Sequence, residues 1–314
     1  MLYASTRDDR DAFTSARTLG ADFAPDGGLY VPFRLPIFSP QEIRELLELS
    51  FGDVVANILN QFFSCRFSSW DVDFAVGKQP VKLYQMNHRL ILAELWHNPG
   101  EHYAYIEEKL YERLCIGGDR RRTTEWASVA VRISMLFGIF SLMQKEFDGE
   151  IPHCVDIALP ADDFSLPMAA WYGRKMGLPI GVIVCGCHAN SGLWDLLNRG
   201  DYSSAPEEAG IGHERLIREV LGVSECRRYA CCRNDGKVYS LADEERGKLS
   251  RGIFAAVVGK DRIRSLLRAV YKSTGYQLAQ DTALAYGTLQ DYRAGSGEGR
   301  SSLILADWKP VETL

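Results

Sequence analysis

The chain has 314 residues, 46% hydrophobic and 25% charged, with 36 basic against 41 acidic side chains and a formal charge of −5. That is the balance of a globular protein with a large core, and its acidic surplus offers a phosphate backbone no overall attraction, so no nucleic-acid partner is expected. No apolar run approaches the roughly 20 residues that span a bilayer, and Arg7, Asp8, Asp9 and Arg10 stand where a signal peptide would be apolar; the expectation is no membrane partner and a cytoplasmic chain with reduced cysteines.

In chain order, Tyr3, Ser5, Thr6 and Arg7 precede Pro25, Asp26, Gly27, Gly28, Leu29, Tyr30, Val31 and Pro32, where Asp-Gly-Gly marks a turn and the apolar run a strand. Ser39 and Pro40 cap and open a helix carrying Ile43, Leu46 and Leu47, and 51–63 reads as a second helix. Val81, Leu83 and Tyr84, then 90–95, read as strands, the second apolar enough for burial on both faces. A helix is expected from Glu107 to Leu114, stopped by Gly117 and Gly118, and a long apolar one from Glu125 to Lys145. The unit 155–185 reads as strand, loop, helix and strand, a right-handed crossover in a parallel sheet. Cys226, Cys231 and Cys232 lie in an Arg-rich segment before Asn234, Asp235 and Gly236, read as a hairpin with incidental thiols. Gly295 to Gly299 follows a helix and lacks a Gly-Lys-Ser/Thr ending, so it reads as a flexible connection.

Several of these segments together resemble threonine synthases. The N-terminal Ser-Thr-Arg and Pro-Asp-Gly-Gly-Leu-Tyr-Val-Pro look like that family's opening signature. Glu94, Leu95, Trp96, His97, Asn98, Pro99, Gly100, Glu101, His102, Tyr103, Ala104 and Tyr105 resemble its cofactor-lysine motif, Glu-Leu-Phe-His-Gly-Pro-Thr leading into Phe-Lys-Asp. Trp126 resembles the tryptophan of an Asn-Trp-Ala-Arg helix, and 170–180 resemble Ala-Gly-Tyr-Tyr-Ala-Lys-Lys-Met-Gly-Leu-Pro-Ile. Further on, His213, Glu214, Arg215 and Leu216 are similar to an Asn-Phe-Glu-Arg-Leu, and Asp281 to Ala285 to an Asp-Pro-His-Thr-Ala.

The resemblance implies an α/β fold, a mostly parallel sheet flanked by helices with a reduced small domain, divided for reading at 1–115 and 116–314. It also implies pyridoxal phosphate held by a lysine, and there the chain departs from the family. Ala104 stands at the lysine's place, and a methyl group cannot form a Schiff base. The family's Val-Pro-Thr-Gly-Asn-Phe-Gly phosphate loop reads Leu159, Pro160, Ala161, Asp162, Asp163, Phe164, Ser165 here. Two unit charges of one sign about 4 Å apart cost roughly 4 kcal/mol at an effective dielectric of 20, so a dianionic phosphate is disfavoured beside these carboxylates. A Ser-Gly-Asp-Thr-Gly loop of the family has no counterpart. Lys109, five residues past Ala104, points away from the lost amine's direction. Pyridoxal phosphate is therefore expected to be absent.

Two readings follow. One is a non-catalytic relative that binds a small, amino-acid-like ligand or acts as a regulator. The other is cofactor-independent or metal-assisted chemistry, with His97, Glu101 and His102 as the catalytic set. Phosphohomoserine conversion, the family reaction, is the alternative to both. The resemblance places Asn98, Tyr103, Tyr105, Trp126, Asp162, Asp163, Ser165, Cys187, His188 and Asn190 around the pocket. Strand alternation sends Cys185 and Cys187 to one face, which with His188 gives three soft ligand types; buried core thiols are the other account of them.

Overall fold

The computed structural model describes every residue except 22, 64, 77–80, 96–105, 107–125, 147–153, 162–163, 190, 203–206 and 311–314. The helix expected at 107–114 and the segment carrying His97 to Tyr105 thus lie outside the described residues.

The N-terminal signature forms a small antiparallel sheet in the order β2 (Phe13–Thr14), β1 (Leu2–Ser5), β3 (Tyr30–Pro32). Asp26 organises the turn that feeds β3, its carboxylate accepting from the Ser5 hydroxyl at 2.7 Å and the Gly28 amide at 3.0 Å. Gly27 takes a left-handed φ of 75° there, and a Cβ on Gly28 would lie 2.3 Å from Ser5 Oγ. The two glycines are thus a backbone and a packing requirement respectively.

Helix α1 (Ser15–Gly20) is short. Ser39 and Glu42 make a reciprocal capping box on α2 (Pro40–Leu47), and Ser50 caps α3 (Phe51–Phe62). Next come α4 (Ser69–Val76) and α5 (Trp126–Glu146). The latter corrects one expectation from the sequence, because it is long and apolar enough to cross a membrane; yet 89% of its most apolar stretch is buried inside the protein. Gly138 lets α3 seat against it, since a Cβ there would meet the Phe51 ring at 2.6 Å.

Six strands form the central sheet: β10 (Ile253–Val257), β7 (Ile180–Cys187), β6 (Val155–Pro160), β11 (Ser302–Ala306), β5 (Leu90–Glu94) and β4 (Lys82–Asn87). All neighbours run parallel except β4, which returns antiparallel on β5. The crossover appears as read: β6, helix α6 (Ser165–Met176), then β7 beside β6. Alternation divides each strand between two cores. Val155, Ile157, Leu159, Ile183, Cys185, Leu303 and Leu305 face the layer of α2, α3, α5 and α6. Ala158, Val184 and Ile304 face the opposite layer.

The second half continues with α7 (Gly192–Trp194) running into a π-turn at Asp195–Arg199, then α8 (Glu207–Leu221), α9 (Val223–Asn234), α10 (Asp243–Leu249), α11 (Lys260–Thr274) and α12 (Gln280–Ser296). A two-stranded ribbon pairs β8 (Asp201–Tyr202) with β9 (Tyr239–Ser240). The Arg-rich segment around Cys226 is helix α9, not a hairpin. Cys226, Tyr229 and Ala230 supply its buried face at helical spacing, a period that turn residues at 234–236 obscured.

Candidate functional site

The carboxyl ends of β5, β6, β7 and β11 share one edge of the sheet, where open α/β sheets place their ligands. At one end of it, Glu94 closes an otherwise apolar strand and is buried. Its Oε1 accepts a 2.5 Å hydrogen bond from the Tyr276 hydroxyl, and Lys82 Nζ lies 3.7 Å from Oε2. Tyr84 stacks on Tyr276 with centroids 4.3 Å apart. Burial, then the Glu94 carboxylate, raises the Tyr276 phenol well above its ordinary range, which keeps it a donor.

Three strand spacings away, about 14 Å at the usual separation, β7 ends at Cys187 and is followed by His188. His188 is half exposed, and its Nε2 lies 3.9 Å from Asp281 Oδ1 in the first turn of α12. This helix lies directly on β7: a Cβ on Gly186 would come within 2.9 Å of Leu284 Cγ. Its N-cap, Ala279, has no side chain to accept from the first amides. One residue past Asp281, the Thr282 hydroxyl is fully buried and has no hydrogen-bond partner among the described residues. The connection from α11 to α12 therefore spans the sheet edge, fastened at Tyr276 to Glu94 and at Asp281 to His188.

The remaining sequence-predicted site residues divide sharply. Ser165 is buried at the start of α6, whose N-cap Phe164 supplies no side-chain acceptor. Cys185 and Cys187 are both buried on the core side of β7; burial, then the neighbouring Cys187, pushes the Cys185 thiol well up. Buried thiols beside an exposed imidazole do not make a ligand set, and no metal-holding group of His, Cys, Asp or Glu occurs among the described residues. Trp126 is a correction to the pocket set: fully buried, it donates from Nε1 to Tyr3 Oη at 3.1 Å and meets the rings of Tyr3, Phe62 and Tyr172 edge-on. That makes it an anchor of the aromatic core. His97, Asn98, Glu101, His102, Tyr103, Ala104, Tyr105, Asp162, Asp163 and Asn190 lie outside the described residues.

Sequence reading missed Glu94, Tyr276 and Thr282 as site residues. Glu94 opens the segment that resembles the cofactor-lysine motif and Thr282 lies within the 281–285 segment, so both carried a signal; Tyr276 carried none.

A mostly parallel sheet with helices on both faces and an edge crossed by the α12 N-terminus is the architecture found in solved threonine synthases. The chain's N-terminal segment and its fold are similar to those of threonine synthases. Residues 2–77 match the family model described as threonine synthase N terminus. A threonine synthase of Pseudomonas aeruginosa is 29% identical over 124 residues, a match covering 36% of this chain and 26% of that relative, so only about a quarter of the curated relative is spanned. The structure of a threonine synthase from Brucella melitensis superposes with a TM-score of 0.83 at 16% identity, covering 99% of this chain and 89% of that one. The yeast threonine synthase gives 0.79 at 15% identity over 98% and 87%. These likenesses establish the fold.

Proposed function

We propose that this is a threonine-synthase-like protein without Schiff-base catalysis, which binds a small amino-acid-like molecule at the carboxyl edge of its sheet and works in the cytoplasm. Ala104, standing where the family motif has its lysine, carries this reading. The residues present do not fit a covalently held pyridoxal phosphate. The donor set at the described edge is a carboxylate, two tyrosines, a buried hydroxyl and an imidazole, and its one amine, Lys82, lies against Glu94. Asp162 and Asp163, which precede α6 in the sequence, oppose a phosphate group on charge alone.

Such an edge suits a ligand carrying both donors and acceptors. The Glu94–Tyr276 pair supplies negative charge at one end, and the uncapped α12 terminus with the Thr282 hydroxyl supplies donors at the other.

The test is an absorbance spectrum of the purified chain with and without pyridoxal phosphate, followed by borohydride reduction and peptide mass mapping. No Schiff-base band and no modified lysine are expected. Reduced cofactor on Lys82, Lys109 or another lysine would overturn the reading and favour the alternative, a lyase acting on O-phosphohomoserine or a related phospho-amino acid.

A further inference from the structure

Helix α11 carries Lys260, Arg264, Arg268 and Lys272 at successive intervals of four residues, all exposed. At 1.5 Å per residue they make a ridge of positive charge about 18 Å long. Of the four, Arg264 alone has an acidic partner, Asp261 at 3.3 Å; the helix's fifth cation, Arg262, is turned to Asp291 of α12 at 2.7 Å. No ion pair reaches Lys260, Arg268 or Lys272 among the described residues. The arrangement works against the helix twice: like charges four residues apart repel, and Lys260 and Arg262 sit in the first turn, where the helix dipole favours anions. Packing against α12 and the sheet, through Ile263, Leu266 and Val270, holds the helix despite this.

We propose that this ridge docks an acidic segment of another polypeptide chain. The chain's net charge of −5 includes five cations and one anion from α11, so the remainder carries −9. A long polynucleotide or an anionic bilayer would extend past the ridge into that acidic field, whereas a short acidic segment would end within a Debye length of it. The ridge's exposed face has one large apolar side chain, Tyr271. That is too little for bilayer insertion or for stacking successive bases of a single strand. Each four-residue step also advances about 40° beyond a full turn, so the ridge winds and suits a flexible chain that can follow it.

The test is fluorescence anisotropy of a labelled twelve-residue polyglutamate peptide titrated with the full chain at low and at physiological salt. Saturable binding that weakens with salt is expected, with at least tenfold loss in R268E/K272E, a variant that breaks no ion pair and whose fold circular dichroism verifies. R44E/R251E, which changes net charge equally at an exposed site on α2 in the opposite helical layer and at one before β10, is expected to keep the affinity. Absence of saturable binding would overturn the proposal. So would equal loss in both variants, or tighter binding of a twelve-nucleotide oligothymidylate or of phosphatidylserine vesicles.

Discussion

Arg7 grips Glu214 through two hydrogen bonds, from Nε at 3.0 Å and from Nη2 at 2.7 Å, joining two motifs 207 residues apart. The carboxylate is fully buried and also meets the Thr6 hydroxyl at 2.9 Å and Arg233 Nη1 at 3.1 Å. Replacing Glu214 by glutamine leaves two arginines without their counter-charge inside the protein. Breaking a buried ion pair from one side costs about 3–5 kcal/mol, so E214Q is expected to lower the unfolding free energy by that much, read as a lower urea midpoint at unchanged slope. A loss below about 1 kcal/mol would reduce the pair to the rank of a surface salt bridge.

His213, the residue before that glutamate, is buried against Phe164 and Tyr202, and its Nδ1 lies 3.4 Å from the Tyr229 hydroxyl. Burial, then the charge of Arg233, lowers its pKa from 6.5 to about 3. The folded state therefore binds this proton less readily than the unfolded one. Its stabilising contribution is complete above pH 6.5 and falls away as the pH drops toward 3, by an amount on the order of 4 kcal/mol. H213F, which installs the aromatic residue of the family's Asn-Phe-Glu-Arg-Leu, is expected to flatten the stability profile across that window. Urea titrations at pH 4 and 7 measure it; an unchanged profile would place the pH dependence elsewhere.

The Arg7–Glu214 pair also shows what the sequence could convey. Ser-Thr-Arg and His-Glu-Arg-Leu were each legible as family motifs, but their contact depends on β1 and α8 meeting through the tertiary fold, which no local spacing encodes. The capping residues Ser39 and Ser50, the β6–α6–β7 crossover and the alternation of β5 could be read because their causes lie within a few residues of one another. Trp126 was misplaced because a tryptophan beside a ligand and one locked in an aromatic core have the same local sequence. Only the three-dimensional neighbours Tyr3 and Tyr172 separate the two. Tyr276 escaped notice, and Thr282 was legible only as part of a motif, because their place at the site arises from the α11–α12 connection crossing the sheet edge.

Thr282 gives a direct measure of whether that edge is stabilised by the protein alone. A buried hydroxyl without a partner costs about 1–3 kcal/mol in desolvation, and valine has nearly the same shape without it. T282V is expected to raise stability by about 1 kcal/mol in the ligand-free chain, read as a higher midpoint in thermal or urea unfolding. Destabilisation would mean that the hydroxyl is satisfied in solution.

Restoring the lysine tests the functional reading from the opposite direction. A104K supplies an amine at the family position but leaves Asp162, Asp163 and Ser165 in place of a neutral, glycine-containing phosphate loop. Asp162 and Asp163 would repel the cofactor phosphate at a cost of a few kcal/mol, and 1.4 kcal/mol corresponds to a tenfold change in affinity. A104K alone is therefore expected to show no Schiff-base absorbance that survives dialysis. Adding D162G, D163N and S165G should bring pyridoxal phosphate binding up by at least tenfold over A104K, measured by borohydride trapping on residue 104. A stable band in the single variant would mean that the missing amine is the whole defect.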